Sequence, residues 1–130
     1  MPQRILKLIS GLLGLSGVAL GAFGAHALEA QLTASGQLEH WRTAVFYQLI
    51  HAIAILAVAL WLDGGSATGK PRFLKIAAIC WVLGIILFSG SLYAFALGGP
   101  RWLWPVTPLG GLAFLAGWGC VLASGLKKEP

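Results

Sequence analysis

The sequence predicts an all-α fold, an integral membrane four-helix bundle with both termini cytoplasmic. Three observations carry that expectation. First, 58% of the 130 residues are hydrophobic and only 10% are charged, whereas a soluble domain carries about 25% charged residues. A chain this poor in charge, with a mean hydropathy of +0.82, cannot furnish a water-facing surface, so most of its surface must face lipid. Second, four apolar runs approach the roughly 20 helical residues needed to cross ~30 Å of hydrocarbon. Third, lysine and arginine are unevenly divided between the segments that join those runs. The length suits one membrane domain, residues 1–130, with no separate soluble module.

The first run, Ile5–Leu28, carries "AHA" just before Leu28 and so imitates a secretory signal with its cleavage site. It is too long and too regularly spaced by glycine for that, and we read it as a retained span. At 100° per residue, Gly14, Gly17, Gly21 and Ala25 fall within about 60° of one another, with Ser10 and Leu28 on the same side. Apolar burial gives helices in lipid no reason to associate, so close backbone approach must supply the attraction, and small residues permit it. These glycines are therefore expected to pack helices. The second run, Thr43–Leu62, is expected to belong to a helix that starts near Ser35 as its cap and projects beyond the lipid. The following segment "GGSATGKP", Gly64 to Pro71, imitates a phosphate loop. It has Pro71 where serine or threonine should hold magnesium, and a membrane helix where a strand should precede it, so it reads as a linker.

The third run, Phe73–Leu97, contains Gly84 and Gly90. After it, Pro100 and Pro105 in "GGPRWLWP" exclude a regular helix. The fourth and shortest run, Pro108–Ser124, has a start signal in Thr107 as cap and Pro108 in the first turn, where its missing N–H costs nothing. Gly110, Gly111, Gly117 and Gly119 repeat the packing device.

Orientation follows from the basic residues. Arg4, Lys7, Lys70, Arg72, Lys75, Lys127 and Lys128 lie on one side of the spans and only Arg42 and Arg101 on the other. That asymmetry places both termini in the cytoplasm. It also accounts for the net charge of +5 without a nucleic-acid partner. Trp41, Trp102 and Trp104 are expected at the outer interface and Trp61 at the inner one, with Trp81 and Trp118 packed deeper. Cys80 and Cys120 lie in apolar runs on different helices and are expected to be buried free thiols. Facing helix axes are ~8–10 Å apart, whereas a disulfide needs Cα atoms within ~7 Å.

Several polar residues do not fit a pure packing account. His26 lies about 120° from the glycine side of its helix, or at that helix's fraying end. In "HWRTAVFYQLIHA", His40, Ala44, Tyr47 and His51 share about 60° of arc, with Gln48 adjacent. "FSGSLY" adds Ser89, Ser91 and Tyr93, and Thr107 lies near the same outer surface, at a helix start with a positive dipole end. His26, Tyr47, Gln48, His51, Ser89, Ser91, Tyr93 and Thr107 thus all fall in the outer half of the bilayer, and they are the candidate ligand-binding residues. Polar groups at such depth face protein or a cavity.

The segments "GAFGAHAL", "TAVFYQLIHA", "LFSGSLY" and "TPLGGLAFLAGW", in that order along nearly the whole chain, resemble the YgdD-like family of small four-helix membrane proteins, the transmembrane protein 256 type. The resemblance implies an integral protein of the inner membrane with no assigned catalytic residues. The family pattern overlaps the outer polar set, except that His40 lies outside it.

Three functional classes remain open to the sequence. A structural or assembly role would mate the glycine faces, chiefly Gly14, Gly17, Gly21, Gly110 and Gly111, with partner helices, from a homo-oligomer or from another membrane protein. A binding or transport role would admit a small anionic or amphiphilic ligand, or a membrane lipid, from the outer leaflet, since a helix N-terminus beside histidines favours an anion. An enzyme is less expected. Glu29, Glu39, Asp63 and Glu129 sit in loops or termini, and nothing pairs a nucleophile with a base. His26, His40 and His51 are the only candidates for haem or a transition metal, with spacing that gives little support, so neither metal nor cofactor is expected.

Overall fold

The computed structural model describes residues 2–65 and 71–126. Lys70, Lys127, Lys128, Glu129 and the centre of the Gly64–Pro71 linker lie outside the described residues. Within them the chain is helical, without strands. Helix α1 spans Gln3–Ala25, a short α2 spans Glu29–Ala34, and α3 spans Leu38–Asp63. The third crossing is α4 (Pro71–Gly84), a single π-helical turn (Ile85–Ser89) and α5 (Gly90–Ala96) in one continuous rod. A 3₁₀ turn at Arg101–Leu103 leads into α6, Val106–Gly125. Four crossings are long and apolar enough to span a membrane. The protein is an all-α, four-helix membrane bundle.

Neighbouring crossings are antiparallel, so the start of α1 and the end of α6 lie at one end of the bundle. There Lys7 on α1 pairs with Asp63 on α3. At the opposite, hairpin end the Trp41 indole N–H donates to the Leu20 carbonyl at 2.8 Å. The packing order is α1 on α3, α3 on α4 and α5, and α4 on α6. The main core joins the middle of this series, where Ile55 and Ala59 meet Ala77, Ala78, Trp81 and Phe114.

Glycine sets the close approaches. On α1, a Cβ at Gly17 would meet Leu49 Cδ2 at 2.7 Å and one at Gly21 would meet Val45 Cγ1 at 3.3 Å. Gly24, which was not singled out in the sequence, gives its space to the Trp41 indole. Its signal was the Gly17–Gly21–Gly24 spacing. The glycine face of α1 is therefore filled by α3 of the same chain. Gly84 admits the Phe114 ring, Gly117 admits Trp81, and Gly110 rests on the Phe88 backbone. Gly14, Gly111 and Gly119, expected to pack helices, make no close approach within the chain. Nothing lies within 4 Å of a Cβ at Gly14 or Gly119, and one at Gly111 meets only Phe88 Cδ2 at 3.9 Å. Replacing Gly14 by alanine is accordingly expected to leave thermal stability in detergent unchanged or raised, by up to ~1 kcal/mol from helix propensity. A loss above that size would show a hidden contact.

Several sequence expectations need correction. The first helix stops at Ala25 rather than Leu28. His26 leaves helical geometry (φ −126°, ψ −82°), and Leu28 turns back to pack with the fully buried Leu32 and with Trp41 in a second small core at the hairpin end. Burying those leucines outweighs another helical turn. Ser35 does not begin the next helix. It ends α2, donating to the Leu32 carbonyl, and Gly36 with φ +72° makes the turn into α3. Thr107 does not cap α6, which starts one residue earlier with no side-chain cap, because its hydroxyl is engaged by Ser91. Trp41 is buried between helices rather than interfacial, and Trp118 is half exposed rather than packed inside. Trp102 and Trp104 are exposed at the hairpin end. Cys80 and Cys120 are free thiols but only half-buried.

Candidate functional site: a closed polar network beside an open groove

The inward face of α3 follows the helical repeat through Ala44, Gln48, His51 and Ile55, all buried. Gln48 is the hub. Its Nε2 donates to the Leu13 carbonyl and to Ser16 Oγ on α1, both at 2.9 Å. Its Oε1 accepts from the Tyr93 hydroxyl on α5 at 2.8 Å. One amide thus ties three helices together. Gly17 makes this reach feasible, since a Cβ there would stand 3.3 Å from Gln48 Nε2.

The π-helical turn serves a second link. It brings Ser89, fully buried, to donate to the Ala44 carbonyl at 2.8 Å. A π turn widens the helix by one residue and re-aims the side chains around it. Just beyond, Ser91 hydrogen-bonds both the Phe88 carbonyl and the Thr107 hydroxyl, joining α5 to α6.

His51 forms a third link. Its Nδ1 lies 2.8 Å from the Tyr47 carbonyl, and its Nε2 lies 3.0 Å from the Trp118 indole nitrogen. A carbonyl can only accept and an indole N–H can only donate. The ring therefore carries its proton on Nδ1, is neutral, and has no free lone pair. It stacks on Phe114 with 3.9 Å between centroids. Trp118→Phe is expected to leave Nε2 as a buried acceptor without a donor and to cost about 1–2 kcal/mol. Thermal unfolding in micelles, with Trp61→Phe as a surface control, measures it; equal losses would contradict the bond.

These placements divide the candidates. Tyr93 joins Gln48; Ser89, Ser91 and Thr107 form shorter links nearby; His51 and Tyr47 form the aromatic group with Phe114 and Trp118. His26 joins none of them, lying exposed at the end of α1 against Ala19 and Ala22. His40 is also exposed, 2.6 Å from Gln37 Oε1. Sequence reading missed Ser10, which donates to the Ala52 carbonyl at 2.9 Å, and Ser16. Ser10 lies on the glycine side of α1, which was its only signal, and Ser16 had none. Trp81 Nε1 is buried without a hydrogen-bond partner among the described residues, where the ring lies over Gly117. Among the described residues no three His, Cys, Asp or Glu side chains group as metal ligands.

Helices α3 and α6 both pack on the third crossing and meet each other through the Tyr47, His51, Phe114 and Trp118 side chains, and an open groove lies along that seam. Its upper part, about 510 Å³, is lined by Gln37, His40, Leu92, Phe95, Trp104 and Thr107. Its lower part, about 550 Å³, lies among Tyr47, His51, Gly111, Leu112, Leu115 and Trp118. Pro108 borders both parts, and Leu92 and Phe88, about one helical turn apart on the third crossing, line the upper and the lower part respectively.

Comparison with known proteins agrees with this architecture. The family model described as "Protein of unknown function (DUF423)" matches residues 20–111. A "UPF0382 membrane protein" of Haemophilus influenzae is 43% identical over 91% of this chain and 90% of its own length. The "UPF0382 inner membrane protein YgdD" of Escherichia coli K12 is 38% identical over 99% of this chain and 95% of its own length. The "UPF0382 membrane protein YwdK" of Bacillus subtilis is 34% identical, covering 96% and 98% respectively. No solved structure matches. With relatives of this identity aligned nearly end to end and the family model matching residues 20–111, the chain belongs to the DUF423 (UPF0382) family of membrane proteins.

Proposed function

We propose that the protein is a structural, helix-packing module of the inner membrane that acts by assembly with other membrane-embedded helices rather than by chemistry. One observation carries this reading: the deep polar side chains are spent on one another. Gln48 and Tyr93 bond each other, Ser89 bonds the Ala44 carbonyl and His51 is held on both ring nitrogens, so these groups are used to join helices. The haem and metal reading loses His51 because both its ring nitrogens are engaged. The Escherichia coli relative is named an inner membrane protein, and the excess of basic residues at the terminal end favours cytoplasmic termini.

The outward face of α1 supports assembly. Only the side toward α3 is covered, and Gly11 and Gly14 lie in open space beside exposed Leu15 and Val18. Such a face lets a second backbone approach closely. The expected result of Gly11→Leu with Gly14→Leu is at least a fivefold loss of self-association or of co-purifying membrane protein, at unchanged thermal stability. Unchanged recovery of both would remove the assembly role. Gly17 and Gly21 are unsuitable for this test because they pack inside the chain.

A further inference from the structure

We propose that the groove between α3 and α6 binds one anionic phospholipid from the leaflet at the hairpin end, its acyl chain along the groove and its phosphate at the mouth. The site is separate from the assembly face on α1.

Length identifies the occupant. His40 to His51 on α3 and Thr107 to Trp118 on α6 are each eleven positions apart, or ~16 Å of helix rise. That is about half of the ~30 Å hydrocarbon thickness, the depth of one leaflet. The deep end is closed by the Trp118–His51 hydrogen bond. A helix from a second copy would need a seam across both leaflets, whereas one acyl chain needs no more than this.

Polarity runs the same way. The deep part is lined by Leu112, Phe114 and Leu115, while Gln37, His40 and Thr107 gather at the mouth. Exposed Trp102 and Trp104 at that end mark headgroup level, where tryptophan partitions. The mouth also favours negative charge. Arg101, in the 3₁₀ turn that ends at the mouth-lining Trp104, does not itself line the groove but is exposed and makes no ion pair among the described residues, while Arg42 is paired with Glu39. The positive end of α6 lies beside it. Besides His51, whose ring nitrogens are both engaged, a second polar group stands within the apolar part. The half-exposed Tyr47 hydroxyl has no hydrogen-bond partner among the described residues, although its ring packs on Phe88 and Phe114. Side chains on α3 tilt toward its N-terminus, which is at the mouth. That direction brings the hydroxyl toward the ester carbonyls of a seated lipid. An amphiphile with a donor-seeking ester below an anionic head satisfies all of these features together.

The test is native mass spectrometry of the full chain in detergent, titrated with phosphatidylglycerol and with phosphatidylcholine of the same acyl chains. One lipid per chain is expected, with phosphatidylglycerol held at least fivefold more tightly. Gly111→Leu fills the groove from a position with room for a side chain and is expected to weaken retention at least tenfold. Gly119→Leu, on the same helix with open space around it, is expected to have no effect. Arg101→Ala is expected to abolish the headgroup preference. Equal retention by the Gly111 and Gly119 variants would overturn the proposal. So would loss of a dimer in Gly111→Leu with lipid retention intact, which would assign the groove to a second copy. If Gly111→Leu does not fold, Tyr47→Phe, which removes only the hydroxyl, decides the matter. A threefold or greater weakening supports the site, and unaltered retention rejects it.

Discussion

Gly110→Ala is expected to be the most damaging single-methyl change in the protein. The added Cβ would fall on the backbone of Phe88, meeting its Cα at 2.8 Å. Unlike the flexible Leu49 side chain opposite Gly17, that obstacle cannot rotate away. Helix α6 must separate from the π-helical turn, and with it go the Ser91–Thr107 and Trp118–His51 bonds. Overpacking costs ~1–3 kcal/mol and occasionally more. We expect the upper end or beyond, seen as a fall of about 10 °C or more in the unfolding midpoint. Gly111→Ala, one residue away and facing the groove, is expected within about 0.5 kcal/mol of the native protein. If the two variants unfold at the same temperature, the α6 contact is not where the structure places it.

The second large effect is expected for Gln48→Leu. The substitution keeps an apolar side chain of similar length but removes two donated bonds to α1 and the acceptor for Tyr93. Interhelical hydrogen bonds in membranes contribute ~0.6–2 kcal/mol each, so a loss of about 2–4 kcal/mol is expected. Tyr93→Phe alone should cost about 1 kcal/mol. Because they share a bond, the double variant should cost less than the two single losses added, by about 1 kcal/mol. Strict additivity in reversible unfolding would show that the two side chains do not interact.

The two largest effects separate what pattern and contact each reveal. Gly110 and Gln48 were both conspicuous in the sequence, one as a small residue in an apolar helix and the other as an amide at membrane depth. What each touches was not. Gly110 and Gly111 are adjacent and chemically identical, yet one rests on backbone and the other borders open space. A 100° step around α6 separates these fates, and only the position of the third crossing decides which glycine meets it. Likewise Gln48, Ser89 and Tyr93 were legible as an outer polar set, whereas their partners, the carbonyls of Leu13 and Ala44 and the hydroxyl of Ser16, carry no sequence signal. Every residue has a carbonyl, and close approach alone selects the one that accepts. His26 shows the opposite error. Its depth was close to that of the set, but the chain leaves the helix there to bury Leu28 and Leu32, and the histidine stays outside.

By itself, the sequence determined the class of object: four apolar helices, charges confined to their ends, glycines at packing intervals and a polar layer toward one face. Those are properties of composition and period, set by the cost of placing charge and unpaired backbone in hydrocarbon, and they survive any rearrangement of neighbours. Tertiary structure decided that Gly17, Gly21 and Gly24 are filled by α3, that His51 is locked between Tyr47 and Trp118, and that an open groove lies along the seam of α3 and α6. These depend on distances of a few ångströms between residues remote in the chain. In lipid, where burial does not favour one apolar partner over another, steric fit and hydrogen bonding choose the neighbours.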